Sequence, residues 1–267
     1  ITANLYFLHN FDTFILDLDS TVWSGIEPTF WAKKLEFPIR RSGQRIYDKN
    51  KNYIEFNNGK SLVDITIEKL LKVMPAEDIY LSCENKLRSS VAEDWGINFI
   101  LRDERLTHND TAFYDVFNGV CDQVPGDDDI AWCQVIDPLF NGYQECFDVW
   151  ENGEEVLECG AFAKKNIRKD HDSLVVVYPQ KHYMLDSNHS PQGFGFHKCH
   201  VKSQDLPISY QLTFCLSILK RSCVKSAGYY VGEKPYWFNA TSPRVDIDKE
   251  SDFELASILY KYYNQEK

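Results

Sequence analysis

The chain of 267 residues is short of basic charge, with 29 Lys and Arg against 40 Asp and Glu, for a formal net charge of −11. That balance argues against broad binding to nucleic acid or anionic membranes, because phosphate contacts need a basic footprint. No apolar run reaches membrane-spanning length, and Asp12, Asp17 and Asp19 interrupt the N-terminal one, so neither a span nor a signal peptide is expected. There is no Cys-x-x-Cys pair. The eight cysteines (83, 121, 133, 146, 159, 199, 215 and 223) are scattered, and Cys133 and Cys215 sit inside apolar runs where a thiol packs as a small hydrophobe. This pattern points to a reduced, cytoplasmic protein rather than a disulfide scaffold. His197, Cys199 and His200 lack a fourth ligand at zinc-like spacing. Internal repeats and low-complexity linkers are also missing, which leaves one large domain or one domain with an appendage.

Against that acidic background, seven Lys or Arg (Lys33, Lys34, Arg40, Arg41, Arg45, Lys49, Lys51) face two acids between Lys33 and Lys51. So concentrated a basic stretch suits a small polyanion such as a nucleoside triphosphate, or forms a solvated loop. Near the C-terminus, Val245-Asp246-Ile247-Asp248 alternates like a strand, with both carboxylates on one face. Such a pair either holds a divalent cation through hard oxygens or simply ends a strand. Ser251 and Glu254 have capping-box spacing, and Phe253, Ala256, Leu259/Tyr260 and Tyr263 form the apolar stripe of a following helix.

Helix and strand signals alternate through the first half. Leu35–Ile39 reads as a strand, and Gly59-Lys60-Ser61 opens a helix (Leu62, Ile65, Leu70, Val73) that Pro75 stops. Then come strand Ile79–Ser82, helix Glu84–Trp95, strand Ile97–Leu101, a helix around Thr111–Cys121 and strand Ile130–Gln134. This βαβα order predicts a mostly parallel sheet with helices on both faces, and a site where the loops after Ile39 and Gln134 converge. Farther on, Ser173–Tyr178 reads as a buried strand, and Leu212, Phe214, Leu216 and Ile218 alternate with polar or small partners. Residues 180–205 between them read as an excursion from the core.

From about Leu35 onward the chain resembles the acylneuraminate cytidylyltransferases, which make CMP-activated sialic acids. The matching segments keep the family's order: Phe37-Pro38-Ile39 with Arg41-Ser42-Gly43-Gln44-Arg45 and Lys49-Asn50; Asn58-Gly59-Lys60-Ser61-Leu62; Phe99–Arg102 with Asp110-Thr111-Ala112; Cys133-Gln134 with Asp137-Pro138-Leu139; His171–Val175; Gln204-Asp205-Leu206-Pro207; and Val245–Asp248 with Asp252–Ala256. The resemblance implies a Rossmann-like α/β nucleotidyltransferase over residues 34–267, with residues 1–33 as an N-terminal extension. It implies Mg²⁺-dependent attack by a nonulosonic sugar's anomeric hydroxyl on the α-phosphorus of CTP, and a homodimer formed through the excursion. Arg41 and Arg45 are then phosphate clamps, and Gly43 beside Ser42 admits backbone N–H groups to the phosphates. Lys49, Asn50, Arg102 and Gln134 complete the nucleotide contacts, Gln204 and Asp205 face the sugar, and Asp246 and Asp248 hold Mg²⁺. Asp205, ahead of Leu206-Pro207, equally suits a turn former.

The departures are specific. The family's loop Lys falls on Arg45 in a register that keeps Arg41-Ser42-Gly43, and on Gln44 in a gapless one where Arg40 replaces Arg41. Val135-Ile136-Asp137 stands where small hydroxyl residues are usual, and Phe140 where Arg is common. A nucleotide-binding scaffold with a degenerate loop is the alternative these changes raise. Separately, Phe14–Trp23 resembles the first motif of haloacid-dehalogenase-like phosphatases, with Asp17 as nucleophile and Asp19 as general acid/base. Ser82, Lys86 and Asp127/Asp128 mimic that family's later residues. An extra strand and loop, or the remnant of a fused domain, is the preferred reading of this segment.

Overall fold

The computed structural model describes residues 13–17, 51–107, 111–158, 161–196 and 201–265. Its centre is a seven-stranded mixed sheet. In chain order the strands used below are β1 (Thr13–Asp17), β2 (Glu55–Asn57), β3 (Lys60–Ser61), β4 (Ile79–Cys83), β5 (Asn98–Leu101), β6 (Ile130–Gln134), β7 (Glu154–Glu158), β8 (Ala161–Lys165), β9 (Ser173–Gln180), β10 (Ser209–Leu219) and β11 (Pro235–Asn239). The large sheet runs β11-β9-β10-β6-β1-β4-β5, while β2-β3 and β7-β8 form two separate antiparallel pairs. Every pairing in the large sheet is parallel except those of β10, which runs against both β6 and β9.

The expected mostly parallel sheet is therefore present, and β6 has the predicted bounds. Such strands are covered on both faces and read as continuous apolar runs. In β6, Ile130, Ala131, Trp132 and Cys133 are all buried, as are Ser173 to Tyr178 in β9. The alternation in Leu212–Ile218 suggested one wet face, but Thr213, Cys215 and Ser217 are buried too, because β10 lies inside the sheet. Its register against β9 shifts between Leu212 and Ser217, where a bulge separates the buried half from an exposed arm.

Helices α1 (Leu62–Leu70), α2 (Ser89–Trp95), α4 (Tyr143–Asn152) and α7 (Glu250–Gln265) supply side chains to one apolar cluster, and α3 (Phe113–Cys121) and α6 (Arg221–Ala227) to the other. The short α5 (Ile167–Asp170) follows β8. Ser61 and Asp64 form a reciprocal capping box at the start of α1, which explains why the Gly59-Lys60-Ser61 signal marked a helix entry. The Glu84–Trp95 helix starts later than expected. Asn85 instead caps a 3₁₀ turn, accepting from the Leu87 N–H at 3.0 Å, and α2 begins only at Ser89. Ser251 is likewise no N-cap: the helix begins at Glu250, and Asp252 Oδ2 accepts from Lys249 and Asp248 N–H at 2.7 and 3.1 Å.

Two larger corrections bear on the site. Thr13–Asp17, assigned to an extension, is an interior strand of the large sheet, flanked by β4 and β6 with Asp17 in register with Ser82 and Gln134. Leu35–Ile39 lies outside the described residues. Second, Val245–Asp248 is not a strand. It crosses the turn after β6 with one ladder-like bond, Ile247 N–H to Ile136 O at 3.2 Å, and among the described residues no strand completes a ladder with it. The inferred alternation survives: Ile247 is buried and Val245 packs on the core, while Asp246 and Asp248 are part-exposed.

Candidate active site

From β1 the parallel strands proceed outward through β4 to β5, and the chain then returns to place β6 on the other side of β1. The reversal makes a crevice beyond the carboxyl ends of β1 and β6, the position where open α/β sheets bind ligands. Three chain segments meet there: the turn Val135–Phe140 after β6, the stretch Ser242–Asp248, and Lys51–Tyr53, a 3₁₀ turn.

Lys51 Nζ donates to Ile247 O at 2.8 Å. The last residue of the basic stretch is thus held at the backbone between the two carboxylates and acts on Asp246. Tyr53 places its hydroxyl 3.5 Å from Cys83 Sγ at the end of β4, under the Arg88 guanidinium, 3.9 Å from the ring centre. Together with Glu84, Asn85 and Lys86 these side chains line a cleft of about 280 Å³.

Burial raises the pKa of the Asp246 carboxyl; the like charges of Asp248 and Asp252 add to the effect, and Arg244 and Lys51 oppose it. Arg244 Nη2 donates to Asp246 Oδ2 at 3.1 Å, with the Arg244 side chain only 12% exposed. Behind this pair, Asp137 is buried. Its Oδ1 accepts from Leu139 N–H at 3.1 Å and its Oδ2 from the Tyr178 hydroxyl at 3.4 Å. Desolvation pushes Asp137 up to about 6, against the pull of backbone N–H groups, Lys69 and Arg244. Lys69, on α1, donates to the carbonyls of Pro138 and, at 2.8 Å, Phe140; burial pushes it down to about 8 despite Asp137 nearby.

Among curated proteins, no sequence relative is found. Residues 38–131 match the family described as cytidylyltransferase. The fold is similar to that of CMP:2-keto-3-deoxy-manno-octonic acid synthetase complexed with CTP, at 11% identity and a TM-score of 0.52 over 83% of this chain and 95% of that one. It is also similar to 4-diphosphocytidyl-2C-methyl-D-erythritol synthase from Anaerococcus prevotii DSM 20548, at 11% identity and a TM-score of 0.50 over 79% and 94%. The chain shares the mixed α/β fold of these two synthetases, and its mostly parallel sheet is the one that the alternating helix and strand order predicted.

The expected site residues are distributed unevenly. Asp246 and Asp248 reach the crevice, and Gln134 ends β6 at its floor, part-buried. Arg102 is buried beyond β5, its Nη2 3.5 Å from Ser82 O. Gln204 and Asp205 lie on an exposed 3₁₀ turn of the excursion, where Lys181 Nζ donates to Gln204 O at 2.5 Å. Arg41, Ser42, Gly43, Arg45, Lys49 and Asn50 lie outside the described residues, as do Asp19, His197, Cys199 and His200.

Of the phosphatase constellation, Ser82 stands in register beside Asp17, but the acid pair does not join them. Asp17 ends β1, whereas Asp127 and Asp128 precede the start of β6, which runs parallel to it. A five-residue strand separates the two ends by about 17 Å. Sequence reasoning missed Lys69, Tyr178, Ser242 and Arg244. Lys69 alone left a signal, a lysine four residues after Ile65 and three after Thr66 on the apolar face of α1.

Proposed function

We propose that this protein transfers CMP from CTP to the anomeric hydroxyl of a sialic-acid-like nonulosonic sugar, releasing pyrophosphate. The observation that carries this reading is the meeting of the Asp246/Asp248 pair with Lys51, the exit of the basic stretch, at the switch point of a nucleotidyltransferase fold. The anomeric oxygen forms a bond to the α-phosphorus, the bond from that phosphorus to the bridging oxygen breaks, and the hydroxyl proton leaves to solvent. Triphosphate charge is the main obstacle, so positioning and electrostatic stabilisation do most of the catalysis.

Among the described residues no group of three or more His, Cys, Asp or Glu side chains could surround a metal. A carboxylate pair nevertheless suits Mg²⁺, which takes one or two carboxylates and completes its shell with water and substrate phosphates. Asp246 and Asp248 would hold it, with Arg244 as the neighbouring counter-charge. When bound, Mg²⁺ neutralises phosphate charge and lowers the pKa of the attacking hydroxyl. Arg41, Arg45 and Lys49 would grip the phosphates, Gln134 and Asn50 the nucleoside, and Gln204 and Asp205 the sugar.

The excursion belongs to this reading. It leads from the end of β9 toward β10 and exposes Tyr183, Met184, Leu185 and Phe196, next to exposed Ile208 and Tyr210 at the entry to β10. Tyr183, Phe194 and Phe196 form edge-to-face ring contacts at 5.2 and 5.8 Å, too few to make a core. A second copy of the chain would cover them in a two-fold dimer. Incubation with CTP, Mg²⁺ and a panel of 2-keto-3-deoxy sugars, following pyrophosphate, tests the activity. No release with any sugar, joined to CTP binding by calorimetry, would favour a nucleotide-binding scaffold.

A further inference from the structure

Residues 241–246 bridge β11 and the candidate metal-binding carboxylates without belonging to any helix or strand. Their backbone is tied at two ends: Ala240 N–H donates to Val177 O at 2.9 Å, and Ile247 N–H to Ile136 O. Between these ties the Val245 N–H donates to the Asp137 carboxylate, and the other held groups are side chains. Ser242 Oγ lies 2.9 Å from the Tyr178 hydroxyl, and that hydroxyl is 3.4 Å from Asp137 Oδ2. The Tyr178 ring lies beneath the Arg244 guanidinium, 5.6 Å away, and Arg244 reaches Asp246. Asp137 itself is locked to its own turn through Leu139 N–H.

We propose that Asp137 and Tyr178 are positioning residues: Asp137 orients the Tyr178 hydroxyl, which holds Ser242, and the Tyr178 ring supports Arg244, so that the segment carrying Asp246 is registered against the turn after β6. The charge on Arg244 then meets the Asp246 carboxylate at a fixed place in the crevice. The physical link stands without any assumption about the substrate; its catalytic consequence rests on the nucleotidyl-transfer reading. Misplacement of a reacting group by about 1 Å can cost about a hundredfold in rate, so a loosened segment acts on turnover before it acts on nucleotide affinity.

Hydrogen exchange read by mass spectrometry on the full chain tests the link directly. Tyr178→Phe keeps the ring and removes the hydroxyl. In this variant, peptides covering residues 242–248 are expected to exchange about fivefold faster, as befits one lost hydrogen bond, with the β9 peptides unchanged. Ser242→Ala should give the same increase, and the double variant no more than either alone, because both cut one connection. Asp137→Asn, if it folds, should raise exchange at least as much, because it also disturbs the direct bond from Val245 N–H. Unchanged exchange in Tyr178→Phe, or additive effects in the double variant, overturns the proposal. In steady-state assays Tyr178→Phe should lower kcat about tenfold with KM for CTP within about twofold. A raised KM at normal kcat overturns the positioning role. Absence of CTP binding by the unaltered protein would instead overturn the nucleotide reading and leave the exchange result standing.

Discussion

Replacing Lys69 by Met should expose how the turn after β6 is held. The ammonium satisfies the carbonyls of Pro138 and Phe140 and faces the buried carboxylate of Asp137. Methionine keeps the length and apolar character of the stem but leaves those carbonyls unpaired and Asp137 with Arg244 as its remaining cation. In the unaltered protein Asp137 titrates at about 6, above the ordinary value of about 3.9. A raised carboxyl pKa means the folded state binds the proton more tightly. Stability from this group therefore falls as pH rises from about 4 to about 6, by up to ~3 kcal/mol, and is level above that. Without Lys69 the Asp137 pKa rises further, so the decline continues beyond pH 6 at about 1.4 kcal/mol per unit. At pH 5, where Asp137 is protonated in both proteins, the lost carbonyl contacts cost the variant about 1–3 kcal/mol, and removal of the buried ammonium's desolvation cost offsets part of that. At pH 7 the deficit should be larger by about 1–1.5 kcal/mol. Urea unfolding of both proteins at pH 5 and pH 7 measures the difference between deficits. A deficit equal at the two pH values, or larger at pH 5, refutes the pairing of Lys69 with Asp137.

Asp246→Asn and Asp248→Asn should each reduce pyrophosphate release at least about a hundredfold while leaving the unfolding midpoint nearly unchanged, because both side chains are part-exposed; near-normal release by both would sink the metal assignment. With Mg²⁺ and a generic aryl phosphate the protein should show no hydrolysis, and any activity that Asp17→Asn removes would revive the phosphatase reading. Sedimentation at micromolar concentration should show a dimer, and a fully active 31.1 kDa monomer would remove the excursion from that role. Replacing exposed Phe196 by Ser should weaken the dimer without altering CTP binding, which the same sedimentation assay and calorimetry read together.

Much of the architecture was legible because local pattern and burial agree. Ile130–Gln134 is apolar throughout and bounded by turn residues, and a parallel strand covered on both faces needs that composition whatever its neighbours. The Ser61 and Asp64 cap needed only four consecutive residues. The same local logic failed where a segment's role depends on a distant partner. Alternation in Val245–Asp248 correctly buried Ile247, yet side-chain period specifies an extended chain and says nothing of a hydrogen-bonding neighbour, and among the described residues no strand pairs with it. Thr13–Asp17 was legible as a strand, but its interior place follows from pairing with β4 and β6, far along the chain.

By itself, the sequence determined the alternating α/β order, the basic stretch ahead of Lys51, the carboxylate pair at 246 and 248, and the exposed aromatic excursion. All of these are written in neighbouring residues. Tertiary structure decided the rest: that the crevice opens between β1 and β6, that Lys51 meets Ile247, and that Lys69 finds carbonyls 69 and 71 residues away. A buried charge can persist only where such partners converge, and their convergence is a property of the folded sheet rather than of any stretch of chain.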